Sequence, residues 1–353
     1  MPTFPDLEKR LETFKKYVLP AKSVLIVTHD YPDPDCLASA AGLANLLNFW
    51  GVDKVVITHG GFVGRAENRA MVRLLDLRLV PILLVEPKNF DSIVLVDAVP
   101  GGGNVSLPAD TPLDAVFDHH MSPADESVPC YWDVRPDIGA TSTIVTMYLL
   151  QAKCPIPTKL ATALFYGIKT DTGDMGREAF PEDLSCYKIL FDHMDHKILA
   201  RIERPPRGME FYECLYRALQ SFALFGSVGM VNLGHISTPD YVAEMADFFH
   251  SLESLEWTVC SGIFESSLFY SVRSKEINEA GRIATRIGKE MGGSGGGHGK
   301  IGAGRVDYDD GRRQEQLARL EKSVRKILGV KRQAEKPFVG QSTPESGSNR
   351  QKR

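Results

Sequence analysis

The chain has 353 residues, 43% hydrophobic and 24% charged, with 45 acidic against 41 basic side chains and a formal net charge of −4. That length allows two domains with separate cores, and the composition is that of an ordinary soluble globular protein. No stretch approaches 18 uninterrupted apolar residues, which argues against a membrane span, and the weak negative charge excludes the broad basic surface that long nucleic acids require.

In chain order, residues 6–18 show the helical spacing of Leu7, Leu11, Phe14 and Val18, and Pro20 ends that helix. Residues 23–27 are an apolar, mostly β-branched run that reads as a buried strand. It changes abruptly into Thr28-His29-Asp30-Tyr31-Pro32-Asp33-Pro34-Asp35, and open α/β sheets place their ligand sites at such strand ends. Pro32 and Pro34 favour extended geometry for the residues before them, so Asp33 and Asp35 are expected on a stiff segment, facing the same way and roughly 6.5 Å apart. Carboxylates so placed crowd one another unless cations lie between them, and two metals about 3.5 to 4 Å apart would fit. A plain acidic turn is the alternative. Residues 36–50 then form a helix with Asp35 at its N-cap and Gly51 past its end.

Residues 54–58 are the next strand, followed by a loop over 59–65 with Gly60, Gly61 and Gly64, and a helix opening at Arg65. Residues 92–96 form a strand with Asp97 directly after it, and residues 113–117 a shorter one before Asp118-His119-His120. Three strand ends therefore carry side chains of the metal-binding kind. Residues 138–143 lead into a helix reaching Gln151, and a helix over 159–169 runs into a loop, Thr170-Asp171-Thr172-Gly173. Helical segments from 182 to about 199 close the first domain, and residues 201–208 read as the connection to a second. That second region is α/β again. It has a helix over 209–220, a strand over 223–233, a helix after Pro239, strands over 258–263 and 268–273, a helix over 278–289 and a glycine-rich loop over 292–304. From about Val330 onward the composition is that of a disordered tail. The six cysteines are dispersed with no C-x-x-C pair, so reduced, mostly buried thiols are expected. The amino-terminal residues show no signal-peptide pattern, and a cytoplasmic location is expected.

Taken together, His29-x-x-Pro32-Asp33-x-Asp35, Asp97 after a strand, Asp118-His119-His120 and Thr170-Asp171-Thr172-Gly173 resemble the four motifs of the DHH phosphoesterases in order and approximate spacing. Arg273-Ser274-Lys275 followed by Gly295-Gly296-Gly297-His298 resembles the DHH-associated C-terminal domain, and the likeness spans about residues 5–305. Within the family the chain looks most like the stand-alone oligoribonucleases that also act on 3′-phosphoadenosine 5′-phosphate (pAp). The resemblance implies an α/β fold with a catalytic domain over 1–200, a linker over 201–208, a substrate-binding domain over 209–329 and a tail over 330–353. The first domain would be a mostly parallel sheet flanked by helices, and the active site would lie in the cleft between the domains.

The same resemblance puts His29, Asp33 and Asp97 on one metal and Asp35, Asp97, His119 and Asp171 on the other, with a bridging hydroxide as nucleophile. Two Mn²⁺ ions suit that mixture of imidazole and carboxylate, with Mg²⁺ or Co²⁺ as alternatives. His120 would donate to a phosphate oxygen, Asp118 would orient a histidine or a backbone amide, and Arg273, Ser274, Gly296, Gly297 and His298 would hold substrate. The implied substrates are short RNA or DNA oligonucleotides or nucleotide phosphates, with no membrane partner; a homodimer is compatible with this. The alternatives are a cyclic or linear dinucleotide phosphodiesterase, or a relative that binds nucleotides or RNA without turnover.

Overall fold

Strands that are apolar along their whole length, rather than at every second residue, need cover on both faces, and the first half of the chain supplies it. The structure, a computed structural model, describes residues 6–19, 21–108, 110–120, 129–276, 279–330 and 336–337. The chain divides into two units, Met1–Pro206 and Arg207–Arg353.

The first unit contains α1 (Leu7–Val18), β1 (Ser23–Thr28), α2 (Pro34–Phe49), β2 (Lys54–His59), α3 (Ala66–Leu75), β3 (Leu79–Pro81), β4 (Ser92–Val96), β5 (Ala115–Asp118) and β6 (Tyr131–Val134), then α4 (Thr141–Gln151), α5 (Thr158–Asp171), α6 (Pro181–Phe191) and α7 (His196–Glu203). Its six strands are all parallel, in the order β3-β2-β1-β4-β5-β6. The chain winds outward from β1 to β3, then returns to lay β4 along the other side of β1. The crevice outside the carboxyl ends of β1 and β4 is therefore the point where the winding reverses. Val24, Ile26, Val94, Val96 and Phe117 face the helices, while Leu25, Val27, Ile93, Leu95 and Val116 are covered by the segments around Phe90, Val99 and Leu107. Helix α2 lies tightly beside α5, because a Cβ on Gly167 would come 2.3 Å from Ser142 Oγ and 3.1 Å from Asp35 Cα.

The second unit contains α8 (Met209–Ser221), β7 (Ala223–Phe225), β8 (Val228–His235), α9 (Asp240–His250), β9 (Trp257–Phe264), β10 (Ser267–Ser274), α10 (Ala280–Met291), β11 (Ser294–His298), β12 (Ile301–Asp307), α11 (Arg313–Ile327) and β13 (Lys336–Pro337). Its sheet runs β11-β12-β10-β9-β8-β7-β13, with β8 and β9 parallel and the other neighbours antiparallel.

Several expectations change. Helix α2 begins at Pro34 with Asp33 as N-cap, its carboxylate accepting from Cys36 N at 3.0 Å. Asp35 is therefore a residue of the first helical turn, and the segment is not extended through it. Proline is well suited to that first position because its missing N–H would have no helical partner there. Asp171 ends α5 instead of sitting in a loop, and 201–203 belong to α7, leaving 204–208 as the connection. β3 and β6 escaped the sequence reading because they are short edge strands, one closed by Pro81 and the other interrupted by Asp133. The strand expected over 223–233 is a hairpin turned at Gly226 and Ser227.

The glycine-rich run is also a hairpin, β11 with β12, and α10 lies against it so closely that a Cβ on Gly281 would fall 2.2 Å from the Gly297 carbonyl oxygen. Of the expected tail, 331–335 and 338–353 lie outside the described residues, and Lys336–Pro337 pairs with β7. All six cysteines are free and buried. Among the described residues no helix is long and apolar enough to cross a membrane.

Candidate metal centre

Because β1, β4 and β5 are adjacent and parallel, the residues that leave their carboxyl ends converge. His29 follows β1, Asp97 follows β4, and Asp118-His119-His120 leaves β5. The amino end of α2 adds Asp33 and Asp35, and the last residue of α5 adds Asp171. His29 Nε2 lies 3.6 Å from Asp97 Oδ2 and 3.8 Å from Asp33 Oδ1. His119 Nε2 lies 3.8 Å from Asp97 Oδ1 and 3.1 Å from Asp171 Oδ2. Asp35, His119 and Asp171 place one ligand atom each within 4.8 Å of one another. Asp97 thus turns one carboxylate oxygen toward each histidine. Its backbone has φ +58°, a conformation that costs a non-glycine residue about 1 to 3 kcal/mol and that clusters at functional sites.

The protonation pattern shows what this pocket requires. His29 Nδ1 is 2.9 Å from the Asp30 carbonyl oxygen and His119 Nδ1 is 3.3 Å from that of Ile138. A carbonyl only accepts, so each Nδ1 carries a proton and each ring presents Nε2 on the side of the carboxylates, where a neutral ring would offer its lone pair to a cation. In metal sites a ligating histidine is oriented by just such a bond from its second nitrogen. His119 Nε2 is buried and has no hydrogen-bond partner; its approach to Asp171 is close but not aligned as a hydrogen bond. Without a cation, burial pushes Asp97 up to about 6, and burial with the charges of Asp97 and Asp171 pushes Asp35 well up. Burial acts to lower His119, yet Asp171, Asp97 and Asp35 carry it up to about 11. The site has more negative charge than it can hold alone, and two imidazoles with four carboxylates form a donor set that suits divalent transition ions. The residues present fit such ions.

Further side chains brace this set. Asp35 is buried and accepts from the amides of Thr141 at 2.7 Å and Ser142 at 2.8 Å, so it rests on the amino end of α4. Thr141 Oγ1 donates to Asp97 Oδ1 at 2.7 Å. Asp183 in turn fixes the approach to α4, accepting from Gly139 N, Phe180 N and Thr143 Oγ1. Thr141, Ser142 and Asp183 were not among the residues the sequence singled out; the only local signal was a Gly-Ala-Thr-Ser-Thr run opening a helix. Cys36 was missed as well, and its Sγ falls within the same reach of His29 and Asp97. Burial pushes that thiol up to about 12, so it is neutral. Thr141→Val keeps the shape of the side chain and removes the donor to Asp97. It should lower turnover about 10- to 100-fold with the fold retained, as checked by kcat and a thermal melt.

Asp118 is buried, and its Oδ1 accepts from His119 N at 2.8 Å, His120 N at 3.2 Å and His120 Nδ1 at 2.8 Å. It positions the histidines that follow it. Burial works against the charged form of His120, but Asp118 and Asp97 push it up to about 8.

The residues expected to hold substrate stand differently. Arg273 is buried, with Nε 2.5 Å from Asp247 Oδ1 and Nη1 donating to Ser271 Oγ and the Val272 carbonyl. The guanidinium is engaged inside the second unit and is not the open cationic fork that was expected, because a buried charge needs a partner. Ser274 is also buried, its Oγ accepting from Glu276 N. Gly297 is exposed with its carbonyl against Gly281 of α10, Gly296 faces solvent, and the His298 side chain lies outside the described residues.

The DHH family, N-terminal domain, matches residues 23–168, the stretch that carries β1 to β6, α4 and most of α5. Residues 23–168 are a DHH-family N-terminal domain. An uncharacterised protein of Methanocaldococcus jannaschii is 35% identical over 286 residues, 80% of this chain and 58% of that protein. A manganese-dependent inorganic pyrophosphatase of Methanothrix thermoacetophila is 27% identical over 154 residues, covering 43% of this chain and 48% of that enzyme. The chain spans about half the length of these curated relatives. The crystal structure of an exopolyphosphatase-related protein from Bacteroides fragilis superposes with a TM-score of 0.72 at 18% identity, over 90% of this chain and 96% of that one. It shares the fold. His29, Asp33, Asp35, Asp97, Asp118, His119 and His120 all lie inside the DHH domain, and Asp171 lies just past the end of the matched stretch.

Proposed function

We propose that the protein is a metal-dependent phosphoesterase acting on short oligonucleotides or nucleotide phosphates such as pAp. The observation that carries this reading is the Asp97 carboxylate turned toward both His29 and His119, the latter with a buried Nε2 that lies among carboxylates without an aligned hydrogen bond. His29, Asp33 and Asp97 would hold one divalent ion, and Asp35, Asp97, His119 and Asp171 the other. Mn²⁺ suits these donors, and manganese dependence is stated of the pyrophosphatase relative. Bound there, the ions supply Lewis-acid stabilisation of phosphoryl oxygens and lower the pKa of water.

The chain's own residues do the rest. Asp118 holds the Nδ1 proton of His120, so in the imidazolium form Nε2 carries the second proton and can donate it as a hydrogen bond to a phosphate oxygen. Thr141 keeps Asp97 turned toward both histidines, and Asp35 is fixed by the amides of α4.

The test is a substrate panel. The purified protein with Mn²⁺ is given pAp, a labelled dinucleotide, a longer RNA oligomer, c-di-AMP and pyrophosphate. The dinucleotide and pAp should be hydrolysed fastest. Pyrophosphate as the best substrate would overturn the substrate class, and no turnover of any of the five with Mn²⁺, Mg²⁺ or Co²⁺ would overturn the enzyme.

A further inference from the structure

Tyr31 lies two residues from His29 and two from Asp33, and it is 49% exposed. A large aromatic side chain left half open to water would ordinarily be free to move, and this one is fixed. Its backbone is in the left-handed region at φ +57°, and its N–H donates to the Gly60 carbonyl at 3.2 Å. The preceding Asp30 is tied to the segment after β4. Its amide donates to Asn104 O at 2.7 Å, and its carboxylate accepts from Ser106 N at 3.0 Å and Ser106 Oγ at 2.8 Å.

The ring itself is held from two sides. A Cβ built on Gly61 would fall 2.7, 2.8 and 2.9 Å from Cε1, Cδ1 and Cζ of Tyr31. Near-equal approach to three consecutive ring carbons is that of an atom over a ring face, so Gly61 backs one face of the ring and any side chain there would displace it. Phe62 meets Tyr31 edge to face, with centroids 5.1 Å apart and planes at 86°. Half of the residue nevertheless stays open to water, so Gly61 and Phe62 do not enclose it.

We propose that Tyr31, backed by Gly61 and Phe62, is a stacking platform for the nucleobase of a substrate whose phosphate occupies the metal centre. This rests on the phosphoesterase reading and deepens it. A carboxylate-rich site explains how phosphate is held through cations, but a bare pyrophosphate or polyphosphate gives no use to a braced, half-exposed aromatic ring on the short segment that joins two ligands. A base does, since every base presents a π-face and stacking tolerates all four. The platform would therefore select for a base without selecting among bases.

The test compares a dinucleotide with an abasic analogue of the same phosphodiester linkage, using wild type, Tyr31→Ala and Tyr31→Trp with Mn²⁺. In Tyr31→Ala the ratio of kcat/KM for the base-bearing over the abasic substrate should fall about tenfold to a hundredfold, mostly through KM, and Tyr31→Trp should restore it. An unchanged ratio overturns the platform, and because the ratio is internal to each variant, partial misfolding cannot imitate the result. Binding of a 2-aminopurine nucleotide, followed by its fluorescence with Ca²⁺ in place of Mn²⁺, separates this from the catalytic reading. Quenching in wild type that is lost in Tyr31→Ala supports the platform even if turnover is absent. Turnover of the dinucleotide without quenching overturns the platform and leaves the phosphoesterase standing.

Discussion

Asp97→Asn should reduce turnover by roughly 10³-fold or more, because one carboxylate serves both sides of the centre and an amide offers a single oxygen. Thr141 Oγ1 donates to Oδ1, so the amide oxygen should stay there and the NH₂ should turn to the side of His29. The variant should fold, and without cations it should be no less stable than wild type at neutral pH. Burial raises the folded-state pKa of Asp97 to about 6 from its ordinary value of 3.8. An acid whose folded pKa is raised weakens the fold above that range and not below 3.8, so asparagine relieves a cost present at pH 7 and absent at pH 3. Mn²⁺ should raise the Tm of wild type by mass action and that of the variant far less. Turnover close to wild type would remove Asp97 from its shared position, and equal Mn²⁺ shifts in the two proteins would remove it from the metal.

Asp183→Ala should be the most damaging change away from the proposed ligands themselves, lowering stability by about 3 to 5 kcal/mol and Tm by roughly 10 °C. The side chain is buried, with Oδ2 accepting from Gly139 N and Phe180 N at 2.8 Å each and Oδ1 from Thr143 Oγ1 at 2.6 Å. Alanine strands all of these donors away from water. Gly139 lies just before the α4 amides that hold Asp35, so activity should fall along with stability. Thermal melts with and without Mn²⁺, beside kcat, check this; a loss of less than 1 kcal/mol would mean that water replaces the carboxylate.

The sequence by itself determined the strands that matter and the residues at their ends. Apolar runs stopping at His29, Asp97 and Asp118 are local patterns, since a strand buried on both faces must be apolar throughout and must become polar where it leaves the sheet. The motif order then pointed to a pair of cations. Tertiary structure decided what spacing along the chain does not encode. Asp35 looked like an N-cap until Pro34 opened the helix and left Asp33 to cap it, and its real partners, Thr141 and Ser142, lie more than a hundred residues away. Arg273 looked like a ligand-binding cation at a strand end, but Asp247 on another element neutralises it inside the second unit. The glycine run read as a loop because glycine disfavours strands, whereas α10 packs so close that a Cβ on Gly295 or Gly302 would strike its backbone carbonyls. Local preference places a strand end, while partners brought together from distant parts of the chain fix which charges stay open to a ligand and which are already paired.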